Sequence, residues 1–153
     1  MAFIHYKDIK IFISKSPSEN DMNKTIDFLN NNNIKSVVRL CEPIYDMFKL
    51  KDINFYELPF EDGSIPSDEI IKQWVDIINN TNDNILVHCM AGQGRAPMMA
   101  AIAMLDMGVN RYEAIKTIRD IIPTCINTRQ LQFIIRYKSK KPSTFKSFFC
   151  GLL

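Results

Sequence analysis

No apolar run in this sequence is long enough to cross a bilayer. The longest, residues 96–105, stops well short of the roughly 20 residues that a spanning helix needs. The opening stretch, MAFIHYKDIK, carries charge within its first ten residues and has no long apolar segment, so no secretory signal is expected. The four cysteines are scattered and make no disulfide framework. Together these features lead us to expect a reducing cytoplasm. Excess charge of one sign is also lacking: 19 Lys and Arg against 17 Asp and Glu leave +2, which gives no reason to expect a nucleic-acid partner. We find no internal repeat and no internal linker. What remains is 153 residues, 46% hydrophobic and 24% charged, with room for one domain and a real core.

Strand and helix signals alternate along the chain. Residues 3–14 alternate loosely and read as one or two strands. Ser18 is a plausible N-cap for a helix with Met22, Ile26 and Leu29 as its stripe, ended by four asparagines at 30–33. Residues 34–41 read as a β-branched strand, 44–50 as a short helix, 53–58 as a strand and 59–66 as a loop. Ser67 caps a helix carrying Ile70, Ile71, Trp74, Ile77 and Ile78. A strand over 84–88 precedes helices over 95–107, with Gly108 as the C-cap, and over 111–121 and 127–137. This order predicts an α/β fold with a mostly parallel sheet and helices on both faces. From Lys138 onward the character changes. Lys138, Lys140, Lys141 and Lys146 are interleaved with Ser and Pro, so 139–153 reads as a flexible basic tail.

The most informative stretch is His88-Cys89-Met90-Ala91-Gly92-Gln93-Gly94-Arg95, set between an apolar strand and a helix. A strand-to-helix loop aims backbone N–H groups and the positive helix end at one point. The glycines let the backbone curl around that point. An anion bound there meets Cys89 on one side and the Arg95 fork on another, and a planar guanidinium can hold two phosphate oxygens at once. The same cradle favours the nucleophilic thiolate. Alternative readings are a packed cysteine at Cys89 and a surface charge at Arg95. The fixed offset and the glycines argue against the first. The second leaves a cation at the positive end of a helix with no anion. The chemistry implied is cysteine-dependent hydrolysis of phosphate esters. Met90, Ala91, Gly92, Gln93, Gly94 and Arg95 form the expected phosphate-binding loop. His88 reads as structural, its ring bonded to backbone. No metal or organic cofactor is expected, because amides and Arg95 supply the charge stabilisation.

These residues resemble the signature of the protein tyrosine phosphatase superfamily, and their surroundings resemble the PRL family (phosphatases of regenerating liver). The resemblance is carried by CMAGQGRAP at 89–97, Tyr6-Lys7, VRLCE at 38–42 with Tyr45-Asp46, PFEDG at 59–63, and Asn127 through Gln130-Leu131. They occur in the family's order and spacing from about residue 5 to 138. The resemblance implies a PRL-like phosphatase domain over 1–138 with the cysteine-dependent phosphatase fold. It implies Asp62 as general acid, on a loop marked by Pro59, Gly63 and Pro66. A turn aspartate before glycine is the plainer alternative, and Glu61 is the rival carboxylate. It also implies that Cys41 is the redox partner of Cys89, forming a reversible disulfide that shields the nucleophile. Burial alone would equally explain Cys41, and Cys125 reads as a packing residue.

Cys150-Gly151-Leu152-Leu153 fits a C-a-a-X ending with terminal Leu, pointing to geranylgeranylation of Cys150. Such endings also arise by accident. The upstream lysines would supply the second membrane signal, giving peripheral membrane association through a lipidated tail. Ala96-Pro97 also resembles the PRL family, where most of the superfamily carries Ser or Thr after the arginine, whereas two residues depart from the family pattern: Leu58 in place of tryptophan and Gln93 in place of an apolar residue. So does the segment 120–123, DIIP, where basic residues are usual. The implied function is hydrolysis of a phosphoprotein at tyrosine, with or without dual specificity, through a phosphocysteine. The alternative is a slow, phosphorylation-sensitive binding partner of CBS-domain (CNNM-type) magnesium transporters. An RNA 5′-phosphatase is disfavoured by the small net charge.

Overall fold

The computed structural model describes residues 1–139. Five strands form one sheet: β1 (Ala2–Tyr6), β2 (Ile9–Lys15), β3 (Ile34–Arg39), β4 (Asn54–Glu57) and β5 (Asn84–Cys89). Their order is β1-β2-β5-β3-β4. β2, β5, β3 and β4 run parallel, and β1 is added antiparallel to β2 at one edge. β5 is therefore central, and its Ile85-Leu86-Val87 run is buried on both faces, as a parallel strand requires.

Alternation along the strands divides the core in two. Ile11, Ile13, Val38, Ile85 and Val87 face one layer, formed by α2 (Asp68–Asn80), α3 (Arg95–Asp106), α4 (Arg111–Ile121) and α5 (Thr128–Arg136). Phe12, Val37 and Leu86 face the other, where α1 (Met22–Asn31) supplies Met22 and Leu29. The sheet is thus covered on both faces, four helices against one. α3 is buried along its whole length, with Ala96, Ala100, Ala101 and Ala103 allowing close approach to the sheet. The Trp74 indole of α2 donates to the Met99 carbonyl of α3 at 2.9 Å and locks the two helices together.

Local signals located most elements, with three corrections. Ser18 caps no helix. Its hydroxyl donates to Asp21 at 2.9 Å, and a 3-10 turn over Glu19–Asp21 leads into α1. The helix expected over 44–50 is a single 3-10 turn, Met47–Lys49, begun by Asp46 accepting from the Phe48 amide at 3.0 Å. The strand expected over 53–58 shortens to Asn54–Glu57. Ser67 does cap α2, and Asn127, expected as the first residue of its helix, is instead the N-cap of α5. Among the described residues no helix is long and apolar enough to cross a membrane, and no group of side chains is suited to a metal ion. Cys150, Lys140, Lys141 and Lys146 lie outside the described residues.

Candidate active site

β5 delivers Cys89 to the carboxyl end of the sheet, and after five intervening residues α3 begins at Arg95. Cys89 is buried, whereas Met90, Ala91 and Gln93 are exposed. Ser16 donates its amide to the Met90 carbonyl at 3.2 Å, and the Ile126 amide reaches the Gln93 carbonyl at 2.9 Å. The loop is therefore moored on both sides. Gly92 has φ +72°, and a Cβ there would sit 2.7 Å from the Lys15 nitrogen. Only glycine fits. Gly94 is different: it occupies the N-cap at φ −117° and supplies no side-chain cap. The first amides of α3 thus lack a side-chain acceptor, and Pro97 in that turn has no N–H to satisfy.

Arg95 is almost wholly buried. Its Nη1 donates to the Leu40 carbonyl at 2.9 Å and the Phe60 carbonyl at 2.8 Å. Its Nε lies 3.2 Å from Asp62 Oδ1, near enough to pair as charges but not aligned as a hydrogen bond. So the arginine is fixed by the ends of two other segments: Leu40 after β3, and the loop carrying Phe60 and Asp62. The Asp62 side chain is 79% exposed. Glu61 is exposed too, and its carbonyl accepts from the Ser64 amide at 3.1 Å and the Ser64 hydroxyl at 2.7 Å. Gly63, at φ +70°, turns the chain between them.

Cys41 is buried beside this site, one residue beyond Leu40, whose amide donates to the His88 carbonyl at 2.9 Å. Burial pushes its thiol above the usual range. A hydrogen bond from Ser16 and the Arg95 charge oppose that rise, and a charge on Cys89 adds to it. Cys41 is thus within electrostatic reach of both Arg95 and Cys89. Cys125 sits in the core, its Sγ 3.9 Å from the Ile118 carbonyl.

His88 does not bond to backbone through its ring, contrary to expectation. Its Nε2 shares a 2.7 Å hydrogen bond with the Tyr45 hydroxyl, and Nδ1 is buried without a partner among the described residues. Burial first, and then the nearby Arg39 charge, bring its pKa down to about 4. The ring is therefore neutral at neutral pH and cannot serve as an acid there. Arg39 is itself buried, pairs with Glu57, and packs its guanidinium against the rings of Tyr45 and Phe55 at 5.4 and 5.0 Å. In the sequence Arg39 and Tyr45 belong to the motifs that carry the family resemblance, and neither has a role of its own there. A charged residue inside a β-branched strand was the available signal.

A cavity of about 660 Å³ borders the loop at Ala91, Gly92 and Gln93, with Lys15, Lys24 and Ile122 on its other walls. It adjoins the Cys89 site without containing Cys89 or Arg95.

A mostly parallel sheet that ends in Cys89, a glycine-turned loop and a buried arginine at the next helix define a cysteine-dependent phosphatase. Comparison with known proteins makes this specific. A family profile described as "Polymorphic toxin system, DSP-PTPase phosphatase" matches residues 13–109. The chain is 37% identical to PRL-1 phosphatase of Drosophila melanogaster, over 91% of this chain and 83% of that protein. It is 32% identical to protein tyrosine phosphatase type IVA 3 of Bos taurus, over 94% and 87%. A solved protein tyrosine phosphatase structure from Leishmania major superposes with TM-score 0.81 at 28% identity, over 89% of this chain and 97% of that one. The chain belongs to the PRL, or type IVA, family of protein tyrosine phosphatases. It is an enzyme of that class, and phosphoproteins are its class of substrate.

Proposed function

We propose that residues 1–138 form one catalytic domain that hydrolyses phosphotyrosine, with or without dual specificity, through a covalent phosphocysteine. The observation carrying this reading is the pairing of Arg95 with Asp62, 3.2 Å apart, at the helix that follows the Cys89 loop. In this reading, the substrate phosphate binds the amides of residues 90–95 and the Arg95 guanidinium. The Cys89 thiolate attacks phosphorus in line, forming the S–P bond as the P–O bond breaks. Asp62 gives its proton to the leaving oxygen. Water then attacks phosphorus and passes a proton to Asp62, and the thiolate departs. The donors are in place before reaction, so little reorganisation is needed as charge develops. The adjoining cavity offers room for residues flanking the phosphorylated one. Cys41 would resolve oxidised Cys89 as a disulfide, and Cys150 would carry a prenyl group that brings the enzyme to membranes.

A second reading is favoured by Ala96. It is fully buried at the first turn of α3 and has no hydroxyl to offer the cysteine sulfur. Slow breakdown of the phosphocysteine follows, and a long-lived intermediate suits a phosphorylation-sensitive partner of a CBS-domain magnesium transporter. Cys89→Ser tests the enzymatic reading. Hydrolysis should vanish while vanadate binding persists through Arg95 and the loop amides. Activity surviving in the pure variant ends the covalent mechanism. Turnover far beyond one phosphate per Cys89 favours enzyme over binding partner.

A further inference from the structure

Helix α5 opens with a capping box. Asn127 Oδ1 accepts from the Gln130 amide at 2.9 Å, and Gln130 Oε1 accepts from the Asn127 amide at 3.2 Å. Each carboxamide has a second end, and both second ends reach the same distant loop. Asn127 Nδ2 donates to the Gly63 carbonyl at 2.9 Å, and Gln130 Nε2 donates to the Ser64 carbonyl at 3.1 Å. These partners are 64 and 66 residues away in sequence. Gln130 is wholly buried, so its donor needs that acceptor. Its amide also packs against Gly94, at 3.4 Å from where a Cβ would stand. One residue before the box, the Ile126 amide holds the Gln93 carbonyl. From the other direction Arg95 holds the Phe60 carbonyl. The chain around Asp62 is thus held at 60, 63 and 64, from two elements that also hold the Cys89 loop.

We propose that Asn127 and Gln130 are positioning residues for phosphoryl transfer, their amide donors fixing the Asp62 loop relative to the Cys89 loop. The proposal rests on the reading of Asp62 as general acid. The start of α5 then acts as a spacer between acid and nucleophile. The fixed carbonyls at Gly63 and Ser64 do the holding. A misplacement of about 1 Å at the reacting groups can cost on the order of a hundredfold in rate, so two hydrogen bonds remote from phosphorus can matter.

Capping and clamping can be separated chemically. Asn127→Asp keeps an oxygen for the Gln130 amide, and a carboxylate at a helix N-terminus stabilises the helix. It removes the donor to Gly63 and sets oxygen against oxygen. Asn127→Ser also caps but is too short to reach Gly63. The experiment measures kcat/KM for the full chain on aryl phosphates of graded leaving-group ability. It compares wild type, Asn127→Asp, Asn127→Ser, Asp62→Ala and the Asp62→Ala/Asn127→Asp double variant, with thermal unfolding and vanadate affinity alongside. Both Asn127 variants should lose roughly tenfold or more on poor leaving groups, within the range general acids contribute, and little on activated ones. Vanadate affinity and Tm should hold. The double variant should be no slower than Asp62→Ala alone. A loss independent of leaving group, no loss, or a loss additive with Asp62→Ala overturns the clamp while leaving the acid assignment intact. A flat leaving-group dependence in Asp62→Ala itself overturns the acid assignment, and the clamp with it.

Discussion

Arg95 Nε lies 3.2 Å from Asp62 Oδ1, joining a buried guanidinium to a carboxylate that is 79% exposed. In the proposed mechanism the cation that binds phosphate thus already leans on the candidate acid before substrate arrives. An incoming phosphate dianion competes for that cation. In the proposed mechanism that competition frees the Asp62 side chain to act at the leaving oxygen.

Asp62 and Glu61 should therefore behave differently despite being neighbours. Asp62→Ala is expected to slow hydrolysis of poor leaving groups by roughly a hundredfold or more. Glu61→Ala should have little effect, because only its backbone carbonyl is used, by Ser64. Leaving-group series on both variants decide this, and a larger effect at Glu61 reverses the assignment.

The two signature glycines should differ as sharply. A Cβ at Gly92 meets the backbone of Ser14 and Lys15 at 2.7–3.0 Å and sits at φ +72°, so Gly92→Ala must deform the loop. We expect lost vanadate binding and a stability loss of about 1–3 kcal/mol from strain. A Cβ at Gly94 meets only Gln130, at 3.4 Å, and Gly94→Ala should bind vanadate nearly as wild type. Isothermal titration of both variants is the check. Equal damage would show that the loop tolerates neither for some other reason.

His88 sets a pH dependence. Its folded pKa of about 4 lies below its ordinary 6.5, so the fold prefers the neutral ring. Above pH 6.5 both folded and unfolded chains hold it neutral and nothing is lost. As pH falls from 6.5 to about 4, the unfolded chain takes the proton and the folded chain does not. At 1.36 kcal/mol per unit, stability should fall by about 3 kcal/mol from this group. Urea unfolding at pH 7 and pH 4.5 should show a smaller acid loss in His88→Gln than in wild type. Identical slopes would remove His88 from the account.

Ala96 leads to a kinetic prediction. A hydrogen bond to a charged group is worth about 1.5–3 kcal/mol, so in the proposed mechanism its absence at the departing sulfur should slow breakdown of the intermediate by roughly ten- to a hundredfold. Wild type should show a burst of product equal to active sites followed by slow turnover. Ala96→Ser should speed the slow phase and leave the burst rate nearly unchanged. Absence of a burst in wild type would move the limiting step elsewhere.

The elements that the sequence revealed are those built by local rules. The Ile85-Leu86-Val87 run, the Ser67 cap, the Asn127 start of α5 and the Cys89-to-Arg95 spacing each depend on residues within one or two turns. Ser18 misled for a local reason too: its hydroxyl found the Asp21 side chain instead of a helix amide. The family resemblance added Asp62 and Cys41, which no local pattern distinguishes from a turn aspartate and a buried thiol.

By itself, then, the sequence determined the α/β class, the apolar strand over 84–88 and the Cys89-to-Arg95 loop that follows it, because periodicity, capping and glycine content act over a few residues. Tertiary structure alone decided how distant side chains meet. It paired His88 with Tyr45 across 43 residues and Gln130 with Ser64 across 66. It buried Arg39 between Tyr45 and Phe55, and it set β5 between β2 and β3. These contacts satisfy polar groups that burial strips of water. Which partner is at hand depends on the strand order and on how the loops at the sheet's carboxyl end converge, and no short stretch of sequence encodes that.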